Sequence, residues 1–209
     1  TIEDLASFWQ AIAKEFSTFK NIYGYGLMNE PHDLAPETKW FDMAQASINA
    51  IREVDTNTLI MVGGNDWSSA ERWIEQSDTL KFLKDPANNL AFEAHVYFDK
   101  DASGTYKYSY EEEECYPEKG IDRVKPFVEW IKQNKFHGFI GEYGIPDNDP
   151  RWNETLDLFL GYLQENGING TYWAAGPWWD SYFMAITPKD GKDRPQMPII
   201  EKYTSTFKK

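Results

Sequence analysis

Apolar residues recur along the chain in two alternating rhythms. Ile2, Leu5, Phe8, Trp9, Ile12 and Phe16 fall at helical spacing, and Thr1 with Asp4 three residues later predicts a capping box. A short apolar run from Ile22 to Met28 follows and stops at Asn29-Glu30-Pro31, where proline halts continuation. It reads as a buried strand, with Gly24 and Gly26 suited to close approach of neighbours. The alternation then repeats. Helices are predicted over 38–54, 69–76, 121–134, 152–166 and 198–207, and short buried strands over 59–62, 90–97, 139–141 and 171–174. Helix–strand alternation without hairpin signals predicts a parallel sheet with crossover helices. No Pro- or Ser-rich linker, low-complexity tract or repeat interrupts it, so one α/β domain over 1–209 is expected.

Composition narrows the class. The chain has 209 residues, 41% hydrophobic and 16% aromatic, which is enough to bury a core and excludes disorder. Its 34 acidic and 21 basic side chains give a net charge of -13, which repels phosphate backbones and argues against nucleic-acid binding. Apolar stretches such as LIMV at 59–62 are far too short for a membrane span. Cys115 is the single cysteine, so neither an intrachain disulfide nor a Cys-based zinc site is available. His32, His95 and His137 lack any metal-ligand spacing, and no metal or cofactor is expected. The first ten residues, TIEDLASFWQ, carry no signal-peptide pattern.

Each predicted strand leaves a polar or aromatic group at its C-terminal end: Asn29 and Glu30, Asn65, His95 and Tyr97, Glu142, then Trp173. Ligand sites of parallel α/β folds lie outside those ends. Glu30 and Glu142 each follow an apolar run directly, in YGLMNEP and GFIGEYG. A carboxylate drawn into such a position needs a partner or a proton. One strand-end glutamate alone reads equally well as a structural ion pair, but two on one parallel sheet suit glycoside hydrolysis. Asn29 and Glu30 would face opposite sides of a strand, so both reach one pocket only if the strand end bulges, a kink that Pro31 suits. His95 and Tyr97 face the same way and suit a network orienting a carboxylate. Trp173, Trp178 and Trp179 lie within seven residues and Trp67 follows another strand; such indoles suit the apolar face of a pyranose, with ordinary packing as the alternative. The acidic run at 111–114 reads as a solvated face.

Five strings, GLMNEPHD at 26–33, GGNDWSSA at 63–70, EAHVYFDKDASGT at 93–105, FIGEYG at 139–144 and TYWAAGPWW at 171–179, together resemble glycoside hydrolase family 5, in particular its endo-β-1,4-glucanases. The resemblance implies a (β/α)8 TIM barrel and a retaining double displacement on β-1,4-glucans without a cofactor. It implies Glu30 as acid/base, Glu142 as nucleophile and Asn29 on the sugar 2-hydroxyl. Tyr97 would hold the nucleophile, His95 would support the acid/base side, and Trp173 would floor the reacting sugar. Trp67, Trp178 and Trp179 would serve further subsites. A mannanase, a mixed-linkage glucanase and a non-catalytic carbohydrate-binding protein remain open alternatives. The resemblance also implies a secreted protein. The family places the Asn-Glu pair after strand four, so the chain is expected to supply strands four to eight. Strands one to three are then expected from a complementary N-terminal fragment or an upstream segment, because an opened barrel exposes two strand edges.

Overall fold

The computed structural model of the chain describes residues 1–35 and 38–204. The predicted capping box forms at α1 (Ile2–Phe16), where the Thr1 hydroxyl accepts from the Asp4 amide and the Asp4 carboxylate reaches back to the N-terminus. There follow β1 (Gly24–Gly26), α2 (Trp40–Arg52), β2 (Leu59–Gly63), the single turn α3 (Asn65–Ser68) and α4 (Trp73–Ser77). The rest comprises β3 (Leu90–Tyr97), α5 (Lys119–Asn134), β4 (His137–Gly144), α6 (Arg151–Glu165), β5 (Asn169–Tyr172) and α7 (Met197–Tyr203). The strands form one parallel sheet in the order β1-β2-β3-β4-β5. Neighbours in sequence are neighbours in the sheet throughout. That is barrel winding; a doubly wound sheet reverses its order at a switch point.

Several element boundaries differ from expectation. β4 extends to Gly144, so Glu142 lies inside the strand rather than just beyond it. β5 starts at Asn169 and ends before Trp173. α4 starts only at Trp73, and ahead of it Asp66, Trp67 and Ser68 all take left-handed backbone angles. The last helix ends at Tyr203, and the expectation for 205–207 lies outside the described residues.

The chain forms two compact units, residues 1–94 with 126–139, and residues 95–125 with the part from 140 onward. In the first unit, β1 and β2 pair from Gly24↔Leu59 to Gly26↔Met61, and β2 pairs with β3 from Ile60↔Leu90 to Gly63↔Glu93. A Cβ on Gly24 would stand 3.1 Å from the Leu59 carbonyl oxygen, so the expected close approach is real there. α1 is fastened by the Trp9 indole, which donates to the Leu27 carbonyl at 3.0 Å. Arg52 and Asp85 form a buried ion pair (2.7 Å), and the guanidinium also donates to the Asp55 and Thr58 carbonyls. These bonds offset the desolvation of both charges; removing one partner costs about 3–5 kcal/mol. Trp73, Phe92, Phe127 and Trp130 make an edge-to-face cluster, with Trp73 and Phe127 centred 4.6 Å apart.

The second unit has its own aromatic core. Phe98 packs on Phe159 at 5.2 Å, and Trp152 receives Tyr106 at 5.0 Å and Tyr110 at 4.7 Å. α7 is tied to α6 by Lys202 and the Tyr203 hydroxyl, both on the Asp157 carboxylate.

Candidate active site

In the second unit, the parallel neighbours β3 and β4 present three polar side chains to one another. His95 and Tyr97 are two residues apart and reach the same carboxylate, as strand alternation requires. The Tyr97 hydroxyl donates to Glu142 Oε2 at 2.7 Å, and His95 Nδ1 lies 3.6 Å from the same oxygen. Burial and then the negative charge of Glu142 push the Tyr97 phenol far above its ordinary range. The phenol therefore keeps its proton and donates a hydrogen bond to Glu142. The Glu142 side chain is 14% exposed. The Tyr182 phenol is raised by burial, with a smaller contribution from the nearby Glu142 charge.

Trp173 follows β5 directly. Its amide donates to the Tyr143 carbonyl at 2.8 Å and its ring meets Trp179 at 4.8 Å. A Cβ on Gly144 would sit 2.4 Å from the Trp173 carbonyl oxygen, so only glycine allows that approach. Trp179 continues to Tyr182 at 5.1 Å, whereas Trp178 is 89% exposed on the 3₁₀ turn Pro177–Trp179. Aromatic surface so open to water lacks a packing role, in contrast to Trp152 at 1% exposure.

Asn29, Glu30 and Trp67 belong to the first unit. The chain leaves β1 after Gly26, so strand alternation does not govern Asn29 and Glu30. The expected kink sits on Glu30 itself, whose φ of 44° is left-handed. Asn29 is exposed and Glu30 half-buried. Trp67 is raised on the left-handed turn at 66–68, held by the Arg72–Asp66 ion pair and by the Asn65 amide on the Ser77 hydroxyl. Its indole stacks on the His32 ring at 4.4 Å and 16°. Both rings line a cleft of about 470 Å³. Three consecutive non-glycine residues in this conformation cost roughly 1–2 kcal/mol each, and such strain persists at sites where side-chain placement matters.

Sequence reasoning missed Tyr182, Tyr106, Asp99 and His32. Tyr182 and His32 lie in irregular segments where no periodicity marks a facing side chain. Asp99 and Tyr106 lie within or beside the string EAHVYFDKDASGT, and their roles depend on how the loop folds back.

Residues 1–178 match the cellulase family, glycosyl hydrolase family 5. The chain is 36% identical over 193 residues to endo-beta-1,4-glucanase B of Emericella nidulans, covering 90% of this chain and 56% of that protein. Its fold superposes on the endoglucanase Cel5A of Pseudomonas stutzeri in complex with cellobiose with a TM-score of 0.90 at 43% identity, covering 97% of this chain and 60% of the other. XacCel5A in complex with cellopentaose gives a TM-score of 0.88 at 38% identity, with 98% and 66% covered. The chain thus spans about three-fifths of the length of these relatives, and its five strands are part of a (β/α)8 barrel. With its family match across most of its length, the chain belongs to the cellulases of glycosyl hydrolase family 5.

Proposed function

We propose that the protein cleaves internal β-1,4-glucosidic bonds of cellulose-type glucans with retention of configuration, Glu142 acting as nucleophile and Glu30 as acid/base. The observation that carries this reading is the Tyr97–Glu142 hydrogen bond of 2.7 Å in a chain of cellulase sequence. A phenol donating to a carboxylate favours its ionised form and fixes the attacking oxygen. Glu142 attacks the anomeric carbon as the glycosidic C–O bond breaks, and Glu30 gives its proton to the departing sugar oxygen. Water then attacks the glycosyl ester, Glu30 takes its proton, and Glu142 leaves as carboxylate. Such a sequence requires the two carboxyl groups roughly 5–5.5 Å apart. Asn29 binds the 2-hydroxyl and His95 supports the polar network around the acid/base side. Trp173 floors the reacting sugar, and Trp67, Trp178 and Trp179 extend the platform along the chain of sugars.

The endoglucanase named for Emericella nidulans and the cellobiose complex of the Pseudomonas stutzeri enzyme support a β-glucan as substrate. Because those relatives are longer, the active unit is proposed to include strands one to three, supplied by a complementary N-terminal part. The two edge strands of the sheet, β1 and β5, are where such a part would pair. An extracellular location follows from a polymeric substrate, which does not enter cells. Among the described residues no helix is long and apolar enough to cross a membrane.

The test is hydrolysis of carboxymethylcellulose and glucomannan by the full-length protein, with the first product followed by proton NMR. A rapid fall in viscosity and a β-anomer appearing first are expected. Preference for glucomannan would reassign the substrate to a mannan, binding without cleavage would leave a carbohydrate-binding protein, and an α-anomer first would overturn retention.

A further inference from the structure

Beyond Tyr97 and His95, the second unit holds a buried carboxylate that the proposed reaction does not use. Asp99 is 1% exposed and stands two residues after Tyr97. Its Oδ1 accepts from the Gly104 amide at 3.1 Å. Its Oδ2 accepts from the Thr105 amide at 3.0 Å, the Tyr106 amide at 3.2 Å and the Ser103 hydroxyl at 3.1 Å. The spacing Asp99-x-Asp101-x-Ser103-Gly104 has the look of a cation-binding loop. Here, however, both Asp99 oxygens receive main-chain donors, so its charge serves the loop backbone.

That loop returns to the residue before it. Gly104 has φ +71°, and a Cβ there would stand 3.0 Å from three atoms of the Tyr97 ring. The loop backbone therefore lies flat on the ring that carries the hydroxyl bound to Glu142. Tyr106, also left-handed at φ 45°, sends its buried ring between the ends of two strands. Its hydroxyl accepts from the Phe98 amide at 2.9 Å and donates to the Gly144 carbonyl at 2.6 Å. Those two groups follow Tyr97 by one residue and Glu142 by two. One loop thus meets the Tyr97 ring and ties the backbone just beyond Tyr97 to the backbone just beyond Glu142. Arg123 adds a third tie, donating to the Tyr97 and Lys100 carbonyls.

We propose that Asp99 is a positioning residue for Glu142: by folding the 99–106 loop onto the Tyr97 ring it sets the distance and angle of the Tyr97–Glu142 hydrogen bond. The inference rests on the reading of Glu142 as nucleophile. Tyr97, His95 and Tyr182 are among the groups near the Glu142 carboxylate within this unit, and Asp99 acts on it through the first of these.

The experiment uses the full-length protein carrying Asp99→Asn, which keeps the shape but points an N–H at a backbone N–H. Expected is a fall in kcat of roughly 10- to 100-fold, the scale of a small misplacement of a reacting group. KM stays within about twofold, since no sugar contact changes. The acidic limb of the kcat profile moves to higher pH, as it does for Tyr97→Phe. The double variant Tyr97→Phe/Asp99→Asn is no slower than Tyr97→Phe alone. A kcat and acidic limb equal to those of the parent, or effects that multiply in the double variant, would overturn the proposal. If circular dichroism shows that Asp99→Asn does not fold, Tyr106→Phe replaces it; that change keeps the ring, removes only the hydroxyl bridge, and carries the same expectations. A carbon-13 titration of the Glu142 carboxyl separates this proposal from the assignment of the nucleophile. Equal displacement in Asp99→Asn and Tyr97→Phe supports positioning even if Glu142 proves not to attack, and no displacement in Asp99→Asn contradicts it.

Discussion

Glu142 and Glu30 end nearly identical sequence patterns, an apolar run closing on a glutamate, yet the backbone holds them in opposite ways. Glu142 lies inside an eight-residue strand, its Oε2 accepting from Tyr97 on the neighbouring strand with His95 Nδ1 3.6 Å away. Glu30 lies beyond a three-residue strand, on a left-handed backbone that itself sets the side-chain direction. The first lies against cross-strand neighbours and the second on a left-handed backbone. A pattern of apolar residues announces that a carboxylate reaches a sheet end. It does not announce which of these two settings receives it.

The sharpest way to break this comparison is to remove each carboxylate charge. Glu142→Gln lowers kcat by about 10⁴-fold or more, the scale seen when a member of a catalytic unit is lost. Binding of a cello-oligosaccharide by calorimetry is retained. Glu30→Gln lowers kcat on cello-oligosaccharides by about 10²- to 10⁴-fold. The loss shrinks on an activated aryl cellobioside, whose leaving group needs no proton, and steady-state kinetics on the two substrates reads the difference. Equal losses for Glu30→Gln on both substrates would remove its role as acid.

Tyr97→Phe probes the cross-strand grip on Glu142. Losing a hydrogen bond to a charged group costs about 1.5–3 kcal/mol, or roughly 10- to 100-fold in kcat. Because the phenol favours the ionised carboxylate, the acidic limb of the kcat profile moves to higher pH.

Those pH profiles have a floor set by the unit that holds Glu30. Burial alone would raise the Asp55 carboxyl, but hydrogen bonds from the Thr58 hydroxyl and amide, the Asn57 amide and Tyr25 outweigh it and lower it to about 2. A depressed carboxyl stabilises the fold above its unfolded value and loses that contribution as pH falls through the folded value. Between about pH 4 and 2 the protein loses about 2 kcal/mol from this group, and Asp55→Asn flattens the denaturant midpoint over that window. The smallest effect tests the backbone difference directly. Glu30→Gly relieves a left-handed cost of roughly 1–2 kcal/mol against roughly 0.5–1 kcal/mol of glycine entropy, and leaves the melting temperature level or slightly raised. Glu142→Gly, in an extended strand, lowers it.

Much of this was legible in the chain. The capping box at Thr1 and Asp4, the strand at 90–97 and the shared face of His95 and Tyr97 follow from local rules that tertiary structure did not override. The extent of β4 was not legible, because Glu142 interrupts the apolar run while the backbone continues to Gly144. Neither the late start of α4 nor the left-handed turn at Asp66–Ser68 was legible, because the turn's residues give no glycine signal for positive φ. Asp99 escaped notice because most of its partners are main-chain amides, which no side-chain spacing reveals.

The central claim is that Glu142 is the attacking group, held ready by Tyr97. The most direct measurement is trapping of the full-length protein with an activated 2-deoxy-2-fluoro-cellobioside, followed by peptide mass mapping. The fluorine slows both displacements by destabilising the oxocarbenium-like transition state, while the good leaving group lets the first proceed, so the glycosyl ester accumulates. One sugar per protein on the peptide containing Gly141-Glu142-Tyr143, placed at Glu142 and absent from Glu142→Gln, is the predicted result. A label on Glu30, or turnover without any ester, would contradict the account.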